Sequence, residues 1–165
     1  MPSVNAQKIY RGNSYYHIYN RGAHKAPIFL DHEDYCYFGL ILQKLVQKYP
    51  VYIRAFSVLP NHYHLLLFQQ NPETIVSFMR SVALYYARYL REKYAHSGCV
   101  FQGVYKAALK RGERQIREAE KYVLNNPQEA GLENWPYVGT NIFEFPTAAR
   151  ADSNFLFPRV DLREL

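Results

Sequence analysis

Residues 51–68 read VYIRAFSVLPNHYHLLLF. Two runs rich in β-branched, aromatic and other apolar residues, 51–59 and 62–68, flank Leu59-Pro60-Asn61, and so short a connection joins antiparallel neighbours into a hairpin. Inside the second run, His62 and His64 are separated by one tyrosine. Strand side chains alternate with a period of two, so both imidazoles face the same way. Two unpaired imidazoles in an apolar layer are costly to desolvate, so a shared partner is expected: a metal ion, a phosphate or a polar network.

Working outward, SYYHIYNRG (14–22) predicts a further strand, closed by the turn chemistry of Asn20-Arg21-Gly22. Between it and the hairpin, Asp31 is a candidate N-cap, Phe38, Ile41, Leu42 and Leu45 recur at helical spacing, and Pro50 ends the run. After the hairpin, Asn71 reads as an N-cap with Pro72 at the first helical position. Ile75, Met79, Val82, Tyr86 and Leu90 then form a buried stripe, and His96-Ser97-Gly98 ends the helix. Residues 100–110 read as loop plus a short strand. A last helix is expected from about Glu113 to Asn125, because Pro127 disfavours helical geometry at Asn126. The order is strand, helix, strand, strand, helix, strand, helix. Its first six members have the β-α-β-β-α-β order of a ferredoxin-like unit, an α+β fold with a mostly antiparallel sheet and helices on one face. A single domain over 1–165 is expected, with its core at about 10–132 and an irregular tail over 133–165 where the periodicity fades.

Hydrophobic residues at 48% and charged residues at 21% of the 165 argue for a folded globular chain and against disorder. Cys36 and Cys99 form no CxxC pair, no signal-peptide core opens the chain, and no window has the apolar length of a membrane span. A cytoplasmic protein with no membrane partner is the expectation. The formal charge of +6 and the 16 tyrosines suit a polyanion whose bases stack on rings, which points to single-stranded nucleic acid.

The histidine pair needs a third ligand to make a metal site, and AEKYVLNNP (119–127) offers one. Tyr122 and Asn126 are four residues apart, on one side of a helix. The asparagine carbonyl is a hard oxygen donor suited to Mg²⁺ or Mn²⁺. A tyrosine one turn earlier could attack a phosphodiester that the ion polarises, forming a phosphotyrosine link. A phenol, with a pKa of about 10, needs help to become nucleophilic, and Lys106 and Lys121 are candidates to supply charge. The plain alternatives stay open: Tyr122 as a residue flanking the apolar face of Ile116, Ala119 and Val123, Asn126 as a helix C-cap, and the histidines as a structural pair. His17, His24, His32 and His96 have no partner at ligand spacing and read as ordinary histidines.

YHIYNRG, IFLDHEDYCYF, AFSVLPNHYHLLL, FQGVYKA and EKYVLNNPQEAGL, in that order from about Tyr15 to Leu132, resemble the HUH single-tyrosine transposases, most closely the REP-associated tyrosine transposases. The family's His-hydrophobic-His block falls on His62-Tyr63-His64, with tyrosine in place of an aliphatic residue. Its terminal helix falls on YVLNNP, which makes Tyr122 the nucleophile and Asn126 the third ligand of a divalent metal. The resemblance implies a ferredoxin-like fold and a metal-dependent enzyme. It would cleave and rejoin single-stranded or hairpin DNA through a covalent 5′-phosphotyrosine, as a monomer or as a homodimer exchanging tyrosines.

Arg80, Arg88 and Arg91 on one helical face, Lys106, Lys110 and Arg111 near the last strand, and Arg21 in the Asn20-Arg21-Gly22 turn are candidate DNA contacts. Two rival functions carry their own signatures. A non-catalytic module binding DNA or RNA hairpins would have no use for the two histidines, the asparagine and the tyrosine together. A hydrolase of free nucleotides would need a water-activating base, and none stands out.

Overall fold

The computed structural model describes residues 10–147. Its elements are β1 (Ser14–Arg21), α1 (His32–Lys48), β2 (Val51–Leu59), β3 (His62–Gln69), α2 (Thr74–Tyr94), β4 (Lys106–Lys110), α3 (Gly112–Glu129) and β5 (Val138–Gly139), with short 3-10 turns at Ala23–Lys25 and Ile142–Glu144. The sheet runs in the order β4-β1-β3-β2-β5, and every pairing is antiparallel. Its first four strands have the order expected of the ferredoxin-like unit.

Alternation along the strands divides the side chains between two layers. Ile18, Tyr63, Leu65 and Leu67 face α1 and α2 and join Phe38, Ile41, Phe78, Val82 and Tyr86 in the main core. Ala55 and Leu66 face the other way and pack with Ile116, Ala119 and Val123 of α3 in a much smaller cluster. Arg54 adds a polar tie to that face, donating to Glu120 at 2.8 Å. The two helices of the first six elements thus share one face, and α3 covers the second.

The start of α1 is a capping box: Asp31 accepts from the Asp34 amide, and the Asp34 side chain accepts from the Asp31 amide. Asp34 is fully buried and also accepts from Tyr89 at 2.9 Å, Tyr94 at 2.8 Å and Lys93 at 2.9 Å, so it ties α1 to the end of α2. Two boundaries differ from expectation. Asn71 is not the cap of α2, which begins at Thr74. Gln69, at the end of β3, supplies that function instead: its carbonyl oxygen accepts from the Ile75 amide at 2.8 Å while its amide donates to Arg11 and Pro72. The last helix runs through Pro127 to Glu129. Proline forfeits one backbone bond near the helix end, and the amides of Ala130 and Leu132 return to the carbonyls of Asn126 and Pro127 to close it. Asn126 is therefore a helical residue and not a terminal cap.

As far as residue 147 the tail packs over the surface, with the short β5 and one 3-10 turn as its only regular elements among the described residues. The Trp135 indole donates to the Val58 carbonyl at 2.7 Å, and Val58 donates to the Tyr137 carbonyl at 2.9 Å. Tyr137 stacks on Tyr35 with centroids 3.9 Å apart, and Ile142 and Phe145 are buried. Residues 148–165 of that tail lie outside the described residues.

Candidate active site

On β3, His62 and His64 project to the α3 face with Leu66. The register sets Arg21 opposite His62, Tyr19 opposite His64 and His17 opposite Leu66. Residues directly opposite share a face, so His17, Tyr19 and Arg21 line the same surface as the pair. The register with β4 adds Lys106 opposite Tyr19 and Lys110 opposite Tyr15.

Each ring of the pair is held at Nδ1. His62 Nδ1 lies 2.7 Å from Asn61 Oδ1, and an amide oxygen only accepts, so that nitrogen carries the proton. His62 Nε2 lies 3.1 Å from Asn126 Oδ1. In the neutral ring these are two lone pairs aimed at one space, an arrangement that a cation or a second ring proton relieves. Ligands at right angles on a small divalent ion stand about 3 Å apart, so the separation suits the donor set. His64 Nδ1 is 2.9 Å from His17 Nε2, with both rings buried. Burial is the main cause that lowers His64 to about 3, with His17 and His62 adding to it. His17 falls to about 4, through burial and then the Lys110 charge. Both rings are therefore neutral near pH 7, the form that ligates metals. Ser57, opposite His64 on β2, keeps a fully buried hydroxyl with no hydrogen-bond partner among the described residues.

Tyr122 stands on α3 one turn before Asn126 and is 46% exposed, although its ring packs edge-on against both His17 and His64 at 5.5 Å between centroids. Its neighbours Ala119 and Val123 are buried in the α3 cluster, which leaves Tyr122 beside the histidines and open to solvent. A cleft of about 670 Å³ is lined by Tyr122, His17, Tyr19, His64 and Lys110. An adjoining one of about 460 Å³ is lined by His62, Asn61, Asn20, Arg21, Gln102 and Lys106. Among the described residues no three His, Cys, Asp or Glu side chains cluster as a metal site.

The four residues singled out as the chemical centre, His62, His64, Tyr122 and Asn126, come together in space from two elements 64 residues apart at their His62–Asn126 contact. Arg21, Lys106 and Lys110 lie on the same side of the sheet as this group, and Arg111 immediately precedes α3. Arg80, Arg88 and Arg91 are on α2, against the opposite face of the sheet, with Arg88 paired to Glu92. Of the lysines considered for charge support, Lys106 borders the His62 cleft and Lys121 is exposed, whereas Lys110 shares the cleft of Tyr122. Sequence reasoning passed over His17 and Asn61. Asn61 was visible as the residue before His62; His17 depended on a strand register that no local pattern encodes.

Residues 10–126 match the model of the family described as Transposase IS200 like. Among solved structures, a REP-associated tyrosine transposase bound to a REP hairpin is 16% identical, with a TM-score of 0.67 and 79% of each chain covered. A Deinococcus radiodurans R1 protein assigned as a transposase is 19% identical, with a TM-score of 0.51, covering 70% of this chain and 92% of its own. At these identities the likeness is one of fold. No curated protein matches the chain.

Proposed function

The chain belongs to the IS200-like transposase family, and from that premise we propose that it cleaves and rejoins single-stranded DNA next to hairpins through a covalent 5′-phosphotyrosine at Tyr122. The observation that carries this reading is the meeting of α3 with β3: Asn126 at hydrogen-bonding distance from His62, and Tyr122 one turn away against His64. A pure binding module would have no use for that combination.

In this reading His62, His64 and Asn126 hold a divalent ion, Mg²⁺ or Mn²⁺. When bound, such an ion supplies Lewis-acid polarisation of the scissile phosphodiester. The phenol oxygen of Tyr122 bonds to phosphorus as it gives up its proton, the P–O3′ bond breaks, and the departing oxygen takes a proton to become a free 3′ hydroxyl. The same steps in reverse rejoin the strand. Lys110 in the Tyr122 cleft makes a negative phenolate less costly, and Lys106 and Arg21 neutralise phosphates along the approach. Hairpin DNA is extended to this chain from the structural relative that was solved with a REP hairpin.

Incubation of hairpin-bearing single strands with the protein and Mn²⁺ should give a covalent adduct on a denaturing gel. Tyr122→Phe should abolish the adduct and leave DNA binding within about twofold of wild type. Tight, salt-sensitive binding with no adduct from any hairpin tested would favour the non-catalytic module. An adduct that survives Tyr122→Phe would assign the nucleophile to another residue.

A further inference from the structure

His17 contributes to none of the steps above, yet it is nine-tenths buried and its Nε2 meets the Nδ1 of His64 at 2.9 Å. We infer that His17 is a positioning residue: it accepts the Nδ1 proton of His64 and so fixes the tautomer in which His64 Nε2 carries the free lone pair. This inference rests on the reading of His62, His64 and Asn126 as metal ligands.

A contact between two neutral imidazoles has two possible directions, and they have opposite consequences. If His17 donated, His64 would accept at Nδ1, carry its proton at Nε2 and be unable to ligate there. The neighbouring ring shows which direction serves the site. His62 donates at Nδ1 to Asn61 Oδ1, an atom that cannot donate back, and turns Nε2 toward Asn126. With His17 as acceptor, His64 repeats that pattern, and both rings offer Nε2 while a partner outside the ligand set holds Nδ1. Such outer partners orient a ligating imidazole and raise its basicity, and removing one weakens metal affinity about 10–100-fold. The contact is diagonal across β1 and β3, because His17 sits opposite Leu66 and reaches back to the residue two positions before it. The His17 ring also packs edge-on against Tyr122, so one side chain touches both the ligand and the nucleophile.

The test uses the full chain without DNA. Mn²⁺ is titrated into wild type, His17→Phe, His17→Gln and His64→Ala, with free ion read by electron paramagnetic resonance. Thermal transitions in EDTA report folding. His17→Phe, which keeps a ring but has no acceptor, should weaken Mn²⁺ binding about 10–100-fold. His17→Gln, whose carbonyl can accept the same proton, should stay within a few-fold of wild type. In metal-free wild type, long-range ¹⁵N–¹H correlations should show His64 protonated at Nδ1. A His64 ring protonated at Nε2 overturns the inference whatever the variants do, and it serves as the deciding measurement if His17→Phe fails to fold. Loss of binding in His64→Ala with full binding in His17→Phe also overturns it and leaves the metal site standing. Equal binding by wild type and His64→Ala overturns the metal site itself.

Discussion

At the scale of single residues, His17 and His64 are kept neutral by burial. Their ionisation carries a prediction for the metal-free protein. An unfolded histidine titrates near 6.5, whereas folded His17 titrates near 4 and folded His64 near 3. Below pH 6.5 the unfolded chain therefore binds protons that the native state refuses, and stability falls with pH. The contribution is complete above about pH 6.5 and is lost as pH drops through 4 and then 3. At pH 5 each buried ring should cost roughly 2 kcal/mol relative to pH 7.5. Urea midpoints in EDTA at the two pH values check this, and equal midpoints would refute it. The same residues mark how far a sequence can be read. His62 and His64 declare a shared face by their spacing alone, and Tyr122 and Asn126 do so by theirs. His17 cannot, because its partner is set by the pairing of β1 with β3, and register is a property of two strands rather than one.

At the scale of elements, legibility followed whether the deciding interaction was local. The start of α1 was readable from Asp31 because its cap lies within the same turn. The start of α2 was not, because Gln69 caps it from the preceding strand. The end of α3 was not legible, because the steric bias against helical geometry before proline is a preference, and here the helix continues through a buried Pro127 to Glu129. The isolated aromatics of the tail gain their places only against α1 and β2. Gly39 tests that packing. A methyl group added there would stand 2.3 Å from Phe145 Cδ1, and Phe145 is buried. Alanine improves helix propensity by up to about 1 kcal/mol, whereas overfilling a packed site costs about 1–3 kcal/mol. Gly39→Ala should therefore be destabilising by roughly 1–2 kcal/mol in chemical denaturation. A stabilised variant would show that the segment around Phe145 does not seat on α1. Asp34→Ala removes the acceptor shared by Tyr89, Tyr94 and Lys93, and should cost about 3–5 kcal/mol on the same assay.

At the scale of the whole molecule, the net charge of +6 is less informative than where the charges lie. Lys106 and Lys110 flank the histidine face, while Arg91 sits on α2 behind the sheet. In hairpin binding measured against salt, Lys106→Ala and Lys110→Ala should each reduce the slope of log K by about 1, and Arg91→Ala should leave it unchanged. An equal loss from Arg91→Ala would show that bound DNA reaches round to the second face. The two faces also differ in how firmly they are held. α1 and α2 share a large apolar core, and α3 rests on Ala55 and Leu66 through Ile116, Ala119 and Val123. Native-state hydrogen exchange should resolve this as two cooperative units, with the α3 amides exchanging through a lower-energy opening than those of β3 and α1. The strand that carries the histidines would then stay closed while the helix that carries the tyrosine opens, and the molecule would dismantle its chemistry well before its fold.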